Sequence, residues 1–591
     1  MSGLFLVMDI AKTALSTQQY GIEITGHNIA NVNNPSYSRQ NPVIEAKEPA
    51  SYGGLLLGQG VDTTSVVRAT DQFIESQLSE QKSNEVAFEE MEQYMRIVGG
   101  FLNENSETSI STLLSGFWNL WHDISNNPAG SAERIAIWEH SALLAERFNS
   151  LKADLIQMKT DLTGAVNFGV GRINEITAEI ADLNTQIVAI ETSTTANDLR
   201  DKRTALVSEL SQYLDVKSFE QSNGSLTIIT ARGCVLVQGN EAYDLEMGGT
   251  NGDRVTWRGS GNAIVDITDY LANGKLGGWL TMRDEVIAKC ELDLNALAKE
   301  FIWAVNSQHS QGVGLKLFEP DTTLTGTYKT STDLDALEFG SEIQYITDGF
   351  KLWIEDRTDP LNPAMNAVSI DLSSLNGSSS LADVATAINN QIAAAGLAGV
   401  TASVSVSGDA IEFTAGSNYA FGFSDDNSNM LAALGINTFF QGASAGTMEL
   451  NPTLSDKDYI AAATIEADGS YASGDNTNAL AITDLQYTSK QIPQWTCDRM
   501  NGNTQSTITA TFEHYYHGLV GAMGIISSSI SRSREFNEVM VNELSQIRDS
   551  ISAVSLDEEM TNLMEFQHAY EAAAKLITVA DEMLDELLSV K

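Results

Sequence analysis

Both ends of the chain carry apolar residues at heptad spacing, and this pattern limits the possible folds more than any other feature. The amino-terminal seam consists of Leu4, Met8, Leu15, Ile22 and Ile29. A helix with so narrow a seam cannot cover a broad core, so it needs another helix alongside it. This helix is predicted to end at Asn33, Asn34 and Pro35, because the residue before a proline is disfavoured in helical conformation.

The carboxyl-terminal segment repeats the pattern. Its seam consists of Leu556, Leu563, Phe566, Tyr570, Ile577, Leu584 and Leu587, with Ala573 and Ala580 in the second row. Seamed helices at opposite ends of one chain favour pairing with each other. We therefore expect Leu563, Phe566, Tyr570, Ile577 and Leu584 to pack against the amino-terminal seam. The alternative is that each helix packs only on its own domain.

The middle of the chain alternates between helical and strand periodicity. Isoleucines and leucines three and four residues apart within 170–214 predict a long antiparallel helical hairpin. Residues 70–162 and 280–307 are also predicted to be helical, with Phe117, Trp118 and Trp121 in the core. Alternating runs within 216–270 and 316–450 predict strands, with one helix at 381–392.

The predicted fold class is α+β and multidomain, with terminal coiled-coil helices, a helical bundle core and β-rich outer insertions. An inner coiled-coil domain is expected at residues 1–40 and 551–591, and a helical core domain at 41–215, 276–315 and 456–550. A β-rich domain is expected at 216–275 and a β-rich outer insertion at 316–455. The amino and carboxyl segments are expected to meet at the base of this nested arrangement.

The charge balance limits the partners. The chain has 591 residues with 34 Lys plus Arg against 78 Asp plus Glu, a formal net charge of −44. Such a polyanion is repelled by phosphate backbones and anionic lipid heads, so nucleic acid and membranes are not expected as partners. No apolar run reaches the roughly 18 residues that cross a bilayer, and Asp9 interrupts the amino-terminal apolar stretch, so no signal peptide is predicted. The three cysteines do not predict a disulfide framework.

Catalytic and metal motifs are weak. The single GxSxG match, at 442–446, lacks a helix after it, so a loop is the better interpretation. Asp425, Asn427 and Asn429 have the spacing of the first ligands in a calcium-binding loop, but the glycine and the final glutamate of such a loop are absent. His514 and His517 lie three residues apart beside Glu513, without further ligand spacing. We expect no enzymatic activity, cofactor or metal.

The segment 25–40 reads TGHNIANVNNPSYSRQ. Its asparagines alone predict only a helix end and a turn. The whole stretch resembles the amino-terminal signature of the bacterial flagellar rod, hook and hook-associated protein family, and its ending SYSRQ is most similar to the hook–filament junction members. The residues of this motif are Asn28, Ala30, Asn31, Pro35, Tyr37, Arg39 and Gln40. Asn34 and Ser36 stand where the family commonly has Thr and Gly.

Four further stretches, at 196–210, 274–315, 474–486 and 555–588, resemble the same family in the same order. The resemblance therefore covers about residues 1–315 and 450–591. Residues 434–442 resemble another piece of it, and most of 316–430 lies outside it.

The resemblance implies a structural adaptor that joins hook to filament. It implies a ring-like homo-oligomer that contacts the hook protein and the second junction protein, with an export chaperone at the carboxyl-terminal helix. The subunit would be made in the cytoplasm, exported unfolded through the flagellar channel without a cleaved signal peptide, and assembled outside the cell.

Two alternatives remain at this stage. The first is another axial component, such as the hook protein or the second junction protein. The second is a secreted adhesin, carbohydrate-binding protein or enzyme that acts through the outer insertion, and it requires a convergent polar site within 316–450.

Overall fold

The structure is a computed structural model and describes residues 2–52, 55–102, 107–192, 194–320 and 322–589. Its α-helices are α1 (Ser2–Ala30), α2 (Gln72–Phe101), α3 (Ile110–Asn126), α4 (Ser131–Ile190), α5 (Asn197–Tyr213), α6 (Gly274–Thr281), α7 (Ala288–His309), α8 (Leu381–Ala394), α9 (Met430–Leu434), α10 (Thr477–Asp484), α11 (Phe512–Ser552) and α12 (Leu556–Ser589). A six-residue π-helical turn separates α6 from α7.

The strands form small antiparallel sheets. They are β1 (Gln40–Ala46), β2 (Ala50–Tyr52), β3 (Leu55–Leu57), β4 (Val61–Arg68), β5 (Val216–Glu220), β6 (Leu226–Thr230), β7 (Val235–Gln238), β8 (Glu241–Ala242), β9 (Leu245–Gly248), β10 (Arg254–Arg258), β11 (Ile264–Asp266), β12 (Leu324–Thr325), β13 (Phe350–Asp356), β14 (Ala364–Ile370), β15 (Val400–Val404), β16 (Ile411–Ala415), β17 (Tyr419–Ser424), β18 (Phe440–Gln441), β19 (Glu449–Leu450), β20 (Lys490–Thr496) and β21 (Thr504–Ala510). The predicted fold class, α+β with long terminal helices, a helical core and β-rich insertions, is confirmed.

The chain divides into two compact units. The terminal unit comprises residues 1–94, 161–282 and 528–591, and it contains both ends of the chain. The middle unit comprises residues 95–160 and 283–527. Each unit is described by itself below.

In the terminal unit, α1 and α12 pack side by side in opposite directions. Near one end of the pair, Asn28 bonds to Glu559, and seven residues further along both helices, Gly21 lies against Phe566. A Cβ atom at Gly21 would stand 2.7 Å from Cδ1 of Phe566, so the glycine lets the aromatic ring approach the α1 backbone. The two ends of the chain therefore form one helix pair.

The predicted helical hairpin is formed by the carboxyl-terminal part of α4 and by α5. Arg172 bonds to Glu209 at 2.8 Å near one end, and Arg200 bonds to Glu191 at 2.5 Å near the other. The isoleucines that predicted the hairpin are largely buried: Ile173, Ile176, Ile180 and Ile187 are fully shielded from solvent. Sheets β5–β6–β7–β8 and β9–β10–β11 complete this unit.

The start of the region expected to be a helical core is instead a β-hairpin arm, defined here as residues 40–68. Strands β1 and β4 pair antiparallel from Gln40 opposite Arg68 to Ala46 opposite Val61, and β2 pairs with β3 beyond them. Pro42, Pro49 and the glycines of the turn disfavour a helix here.

An aromatic cluster forms the core of the middle unit. Phe117 and Trp118 of α3 lie 5.2 Å and 5.6 Å from Phe301 of α7, measured between ring centroids, and Trp121 lies 5.5 Å from Phe439. The prediction that Phe117, Trp118 and Trp121 are core residues is confirmed, because all three are buried.

The β-rich part of the middle unit consists of sheets β14–β13–β17 and β12–β16–β15. Helix α8 packs on β14 and β15, and it begins with a capping box in which Ser380 and Asp383 exchange hydrogen bonds. Residues 434–442 close the end of α7. The side-chain amide of Asn437 donates to the carbonyl oxygens of Ser310 and Gly312, and the side-chain oxygen of Asn306 accepts from the backbone of Phe439 and Phe440.

His309, the last residue of α7, joins three segments of the middle unit. Its Nδ1 lies 2.7 Å from the carbonyl oxygen of Asn437, and the backbone N–H of Ala461 donates to its Nε2 at 3.0 Å. Since Nε2 accepts, the proton is on Nδ1 and the ring is neutral. Complete burial lowers the pKa of His309 from 6.5 to about 4.

Acid is therefore expected to destabilise the middle unit through this ring. The pKa of His309 is lower in the folded than in the unfolded chain, so protonation favours unfolding, and stability is lost as the pH falls from 6.5 towards 4. The loss amounts to about 3 kcal/mol. Urea unfolding followed by tryptophan fluorescence measures it, and the stability difference between wild type and His309→Gln is expected to shrink by this amount at low pH.

The control is His122→Gln, which replaces an exposed histidine of the same unit. The loss caused by His309 is expected to persist in this variant, because the buried ring of His309 is unchanged. Parallel pH curves for wild type and His309→Gln would contradict the prediction.

Candidate assembly interface

Asn28 is the centre of the Asn-rich motif and is 1% exposed. Its side-chain oxygen accepts from the hydroxyl of Tyr37 at 2.7 Å and from the backbone N–H of Gln40 at 3.0 Å. Its side-chain nitrogen donates to the carbonyl oxygen of Gln40 at 2.9 Å and to Oε2 of Glu559 at 2.9 Å. One amide thus joins the end of α1, the segment after it and the start of α12.

Glu559 is a buried carboxylate that sequence reasoning did not select. Its Oε1 has no hydrogen-bond partner among the described residues. The hydrogen bond from Asn28 to Oε2 therefore offsets much of the free-energy cost of burying this carboxylate. Arg39 forms a second link to this helix end, because its Nη1 lies 2.6 Å from Oε2 of Glu558 and its backbone N–H donates to the carbonyl oxygen of Ser552.

The same motif is fixed to the helical hairpin. Nε2 of Gln40 donates to Oδ1 of Asp198 at 2.9 Å, and the backbone N–H of Ser38 donates to Oδ2 of Asp201 at 3.1 Å. The other oxygen of Asp201 accepts from Nη1 of Arg68 at 2.8 Å. Asp198 and Asp201 lie on the first turns of α5, inside the stretch 196–210 that resembled the family, but their partnership with the motif could not be read from the sequence.

The hydrogen bonds of Asn28 with Tyr37, Gln40 and Glu559 are called here the Asn28 lock. Tyr37 acts as a hydrogen-bond donor in it. Burial, together with the nearby carboxylates of Asp198, Asp201 and Glu559, raises the pKa of Tyr37 above its ordinary value of 10. The phenol therefore keeps its proton and continues to donate to Asn28.

The other motif residues play smaller parts. The side chain of Asn31 donates to the carbonyl oxygen of His27 at the end of α1. Ala30 and Pro35 are exposed. The motif is therefore a set of hydrogen bonds around Asn28, Tyr37, Arg39 and Gln40, with an exposed turn at 33–36 between Asn28 and Tyr37.

The most buried positions of α1 lie beside the residues of the predicted seam. Leu4, Met8, Leu15, Ile22 and Ile29 are half-buried. The fully buried positions of α1 are Ala11, Thr17, Gly21, Thr25 and Asn28. Small side chains at these positions allow α12 to approach closely, so the larger predicted residues flank the contact.

On α12 the second predicted row faces the partner helix. Ala573 and Ala580 are buried, and Leu563, Phe566, Ile577 and Leu584 are half-buried. Leu556 and Tyr570 were expected in the seam but are 47% and 39% exposed. Leu556 precedes the contact between Glu559 and Asn28, so it lies beyond the end of α1. Tyr570 lies to one side of the row that contains Ala573 and Ala580. The side chain of Leu587 lies outside the described residues.

Apolar side chains remain exposed on α12 after it has paired with α1. They are Leu556, Met560, Met564, Tyr570, Leu576, Val579, Met583 and Leu588. Several lie on the flanks of the pair, where another helix could cover them. Exposed apolar surface of this extent on a helix marks a surface for association.

A groove of about 770 Å³ lies beside the Asn28 lock in the terminal unit. Its lining includes the acidic residues Glu179, Asp182, Asp198, Asp201 and Glu209. This lining disfavours an anionic ligand.

Comparisons with known proteins agree with this geometry. Residues 96–320 match the family described as flagellar hook-associated protein FlgK helical domain, and residues 548–590, which include α12, match the family described as flagellar basal body rod FlgEFG protein C-terminal. Over 623 aligned residues the chain is 25% identical to flagellar hook-associated protein 1 of Bacillus subtilis (strain 168), with coverage of 100% of this chain and 99% of that protein. The chain is thus similar over its full length to flagellar hook-associated protein 1.

A second relative is similar over almost the same length. Flagellar hook-associated protein 1 of Escherichia coli (strain K12) is 26% identical, with coverage of 98% of this chain and 99% of that protein. The solved structure of the flagellar hook junction protein FlgK from Burkholderia pseudomallei matches 81% of this chain and 100% of its own, with a TM-score of 0.51 and 17% identity, which shows a shared fold. The predicted structural role in the flagellum is confirmed by these similarities.

The weak chemical motifs do not converge in the structure. Oγ of Ser444 lies 2.9 Å from Oγ1 of Thr447 within a loop, and Asp425 pairs with Lys351. The side chain of Glu513 accepts from Ser115. In the part of the chain that the structure describes, no group of three or more His, Cys, Asp or Glu side chains is placed to hold a metal ion. The described helices include none long and apolar enough to span a bilayer.

Replacing Asn28 by alanine is expected to destabilise the terminal unit by about 2 to 4 kcal/mol, because it leaves the Glu559 carboxylate, the Tyr37 hydroxyl and the Gln40 backbone buried without this partner. Urea unfolding followed by circular dichroism gives the total loss, and hydrogen exchange shows whether α12 opens first.

The matched control is Asn31→Ala, three residues along the same helix end. Asn31 makes one exposed hydrogen bond to His27, so its loss is expected to cost less than about 1 kcal/mol. Equal effects of the two substitutions would mean that the lock does not depend on the Asn28 amide.

Proposed function

We propose that this chain is a structural subunit of the joint between hook and filament, and that it assembles as a ring-like homo-oligomer around its terminal helix pairs. The observation that supports this most directly is the apolar surface that α12 leaves exposed after pairing with α1. The full-length similarity to flagellar hook-associated protein 1 supports the joint rather than another axial part.

The energetics favour association of the helix pairs. Full burial of one Leu, Met or Val side chain stabilises a complex by about 1.5 to 3 kcal/mol. The side chains on α12 that would gain from a neighbour include Met560, Met564, Leu576, Val579 and Met583. Part of the gain offsets the entropy lost on association.

Further parts of the proposal extend to location and partners. The subunit is made in the cytoplasm, exported through the flagellar channel without a cleaved signal peptide, and placed outside the cell between the hook protein and the second junction protein. An export chaperone binds the carboxyl-terminal helix before assembly. No catalytic step is proposed. The predicted domain boundaries remain part of the proposal, except that residues 40–68 form the β-hairpin arm.

Deletion of the gene tests the function. We expect bare hooks by electron microscopy, with flagellin released into the medium, because the filament has no joint on which to grow. Missing hooks would instead place the chain in the rod or hook. Normal filaments would contradict a required assembly role.

The substitution Ile577→Asp tests the helix pair within this function. Ile577 is half-buried on α12, so aspartate there places a charge in the contact between the helices. In the deletion strain, a copy carrying Ile577→Asp is expected to leave hooks bare.

The control is Thr578→Asp, which adds the same charge at the neighbouring exposed position. It is expected to restore filaments. Normal filament attachment with Ile577→Asp would contradict the helix-pair mechanism while leaving the location at the joint intact.

A further inference from the structure

The β-hairpin arm exposes three consecutive leucines, which are called here the tip of the arm. Leu55, Leu56 and Leu57 are 69%, 74% and 40% exposed. They form β3, which pairs only with the short strand β2 in the described part of this sheet. Consecutive exposed leucines are costly in water and mark a surface for contact.

The base of the arm is held in place without these leucines. Gly60, with φ of +94°, lies against Ile10 and Thr13 of α1, and a side chain there would clash with Oγ1 of Thr13. The backbone N–H of Lys47 donates to the carbonyl oxygen of Gly60 at 2.9 Å, and Asn197 donates to the carbonyl oxygen of Val66. The fold of the terminal unit therefore holds the arm in place and leaves Leu55, Leu56 and Leu57 exposed.

The charge pattern indicates what covers the tip. Residues 49–61 contain no charged side chain, although the chain as a whole carries a net charge of −44. A basic partner would be recognised by acidic side chains, which the tip lacks. An uncharged apolar tip is the kind of surface by which one highly acidic copy approaches another without direct repulsion.

A complementary surface lies at the same end of the helix pair. The antiparallel contacts of Asn28 with Glu559 and of Gly21 with Phe566, continued along the pair, bring the last third of α12 beside the start of α1, near Gly60. There Leu576, Val579 and Met583 are each about half exposed. Methionine adapts its shape to irregular contacts, so this surface can accept a leucine cluster.

We propose that Leu55, Leu56 and Leu57 of one copy dock on Leu576, Val579 and Met583 of a neighbouring copy of this chain. Both surfaces are exposed within a single chain, so their contact forms between copies. It joins two different patches, and such a heterologous contact repeats from copy to copy and builds a ring or a helix. The inference rests on the proposed assembly into a homo-oligomer and names a contact in it.

Photo-crosslinking tests the contact directly. A benzophenone amino acid replaces Leu56 in the full chain, expressed in the deletion strain, and axial structures sheared from cells are irradiated. The expected product is a covalent dimer of about twice 63.8 kDa whose cross-linked peptide contains residues of α12. Crosslinks only to the hook protein or to another axial protein would overturn the proposal.

The triple substitution Leu55→Ser, Leu56→Ser and Leu57→Ser tests its importance. The exposed tip does not support the fold, so the melting curve of the purified chain is expected to match wild type. Filament attachment in the deletion strain is expected to fall to about a tenth or less, because the lost apolar contact weakens association by at least about tenfold. The matched control is Leu361→Ser with Val406→Ser, which removes apolar side chains that are 89% and 106% exposed at other turns.

The outcomes separate the inference from the proposed function. If the deletion leaves bare hooks but the triple variant restores filaments fully, the docking contact is wrong and the joint remains. If the deletion has normal filaments, the proposed function fails first. Flotation of the wild-type chain, but not the triple variant, with phosphatidylcholine vesicles would assign the tip to a lipid surface and overturn the proposal.

Discussion

The amide of Asn28 is the interaction on which the terminal unit depends. It uses both its oxygen and its nitrogen twice, and it does so in a site almost closed to water. Aspartate at this position would lack the donors and would stand beside the Glu559 carboxylate. Leucine would leave the Gln40 backbone without this partner, and the Tyr37 hydroxyl would keep only Nδ1 of His27 at 3.1 Å. Only a side chain with one acceptor and one donor group of this size satisfies both helices and the segment between them, because buried polar groups must be paired.

The lock also sets how the two terminal helices meet. It fixes their register at one end, and the small residues Ala11, Gly21 and Thr25 then let α12 lie close along α1. A close contact between narrow surfaces covers little apolar area, so large side chains remain at its flanks. The helix pair therefore leaves apolar side chains exposed, and neighbouring subunits can bury them. Folding and assembly draw on the same side chains, which explains why a helix that is buried by pairing still carries exposed methionines and leucines.

The sequence was sufficient for the long helices and insufficient for their contacts. The heptad spacing predicted α1, α12 and the hairpin of α4 with α5, because helical periodicity is a local property. It selected Met8, Leu15 and Ile22 but not Gly21, since apolarity does not report which position permits close approach. The bond from Asn28 to Glu559 joins residues 531 positions apart, and the partnership of Gln40 with Asp198 spans 158. Such pairings depend on the tertiary fold. The arm was missed for a different reason: short alternating strands between proline and glycine give a weak signal beside the long helices.

The acidity of the chain has to be reconciled with its self-association. Helix α12 alone carries nine Asp or Glu residues and one Lys, so adjacent copies repel each other when these helices approach. Screening by salt limits this repulsion to roughly 8 to 10 Å at physiological ionic strength. Within that distance the contact must be made by uncharged groups, and the chain provides them as the apolar flanks of α12 and the uncharged tip of the arm. Repulsion between whole subunits keeps them apart in dilute solution, whereas many short apolar contacts hold them together once they are delivered to one place. Strong net charge and assembly are therefore compatible, because the first acts over the whole surface and the second only at the few surfaces from which charge is excluded.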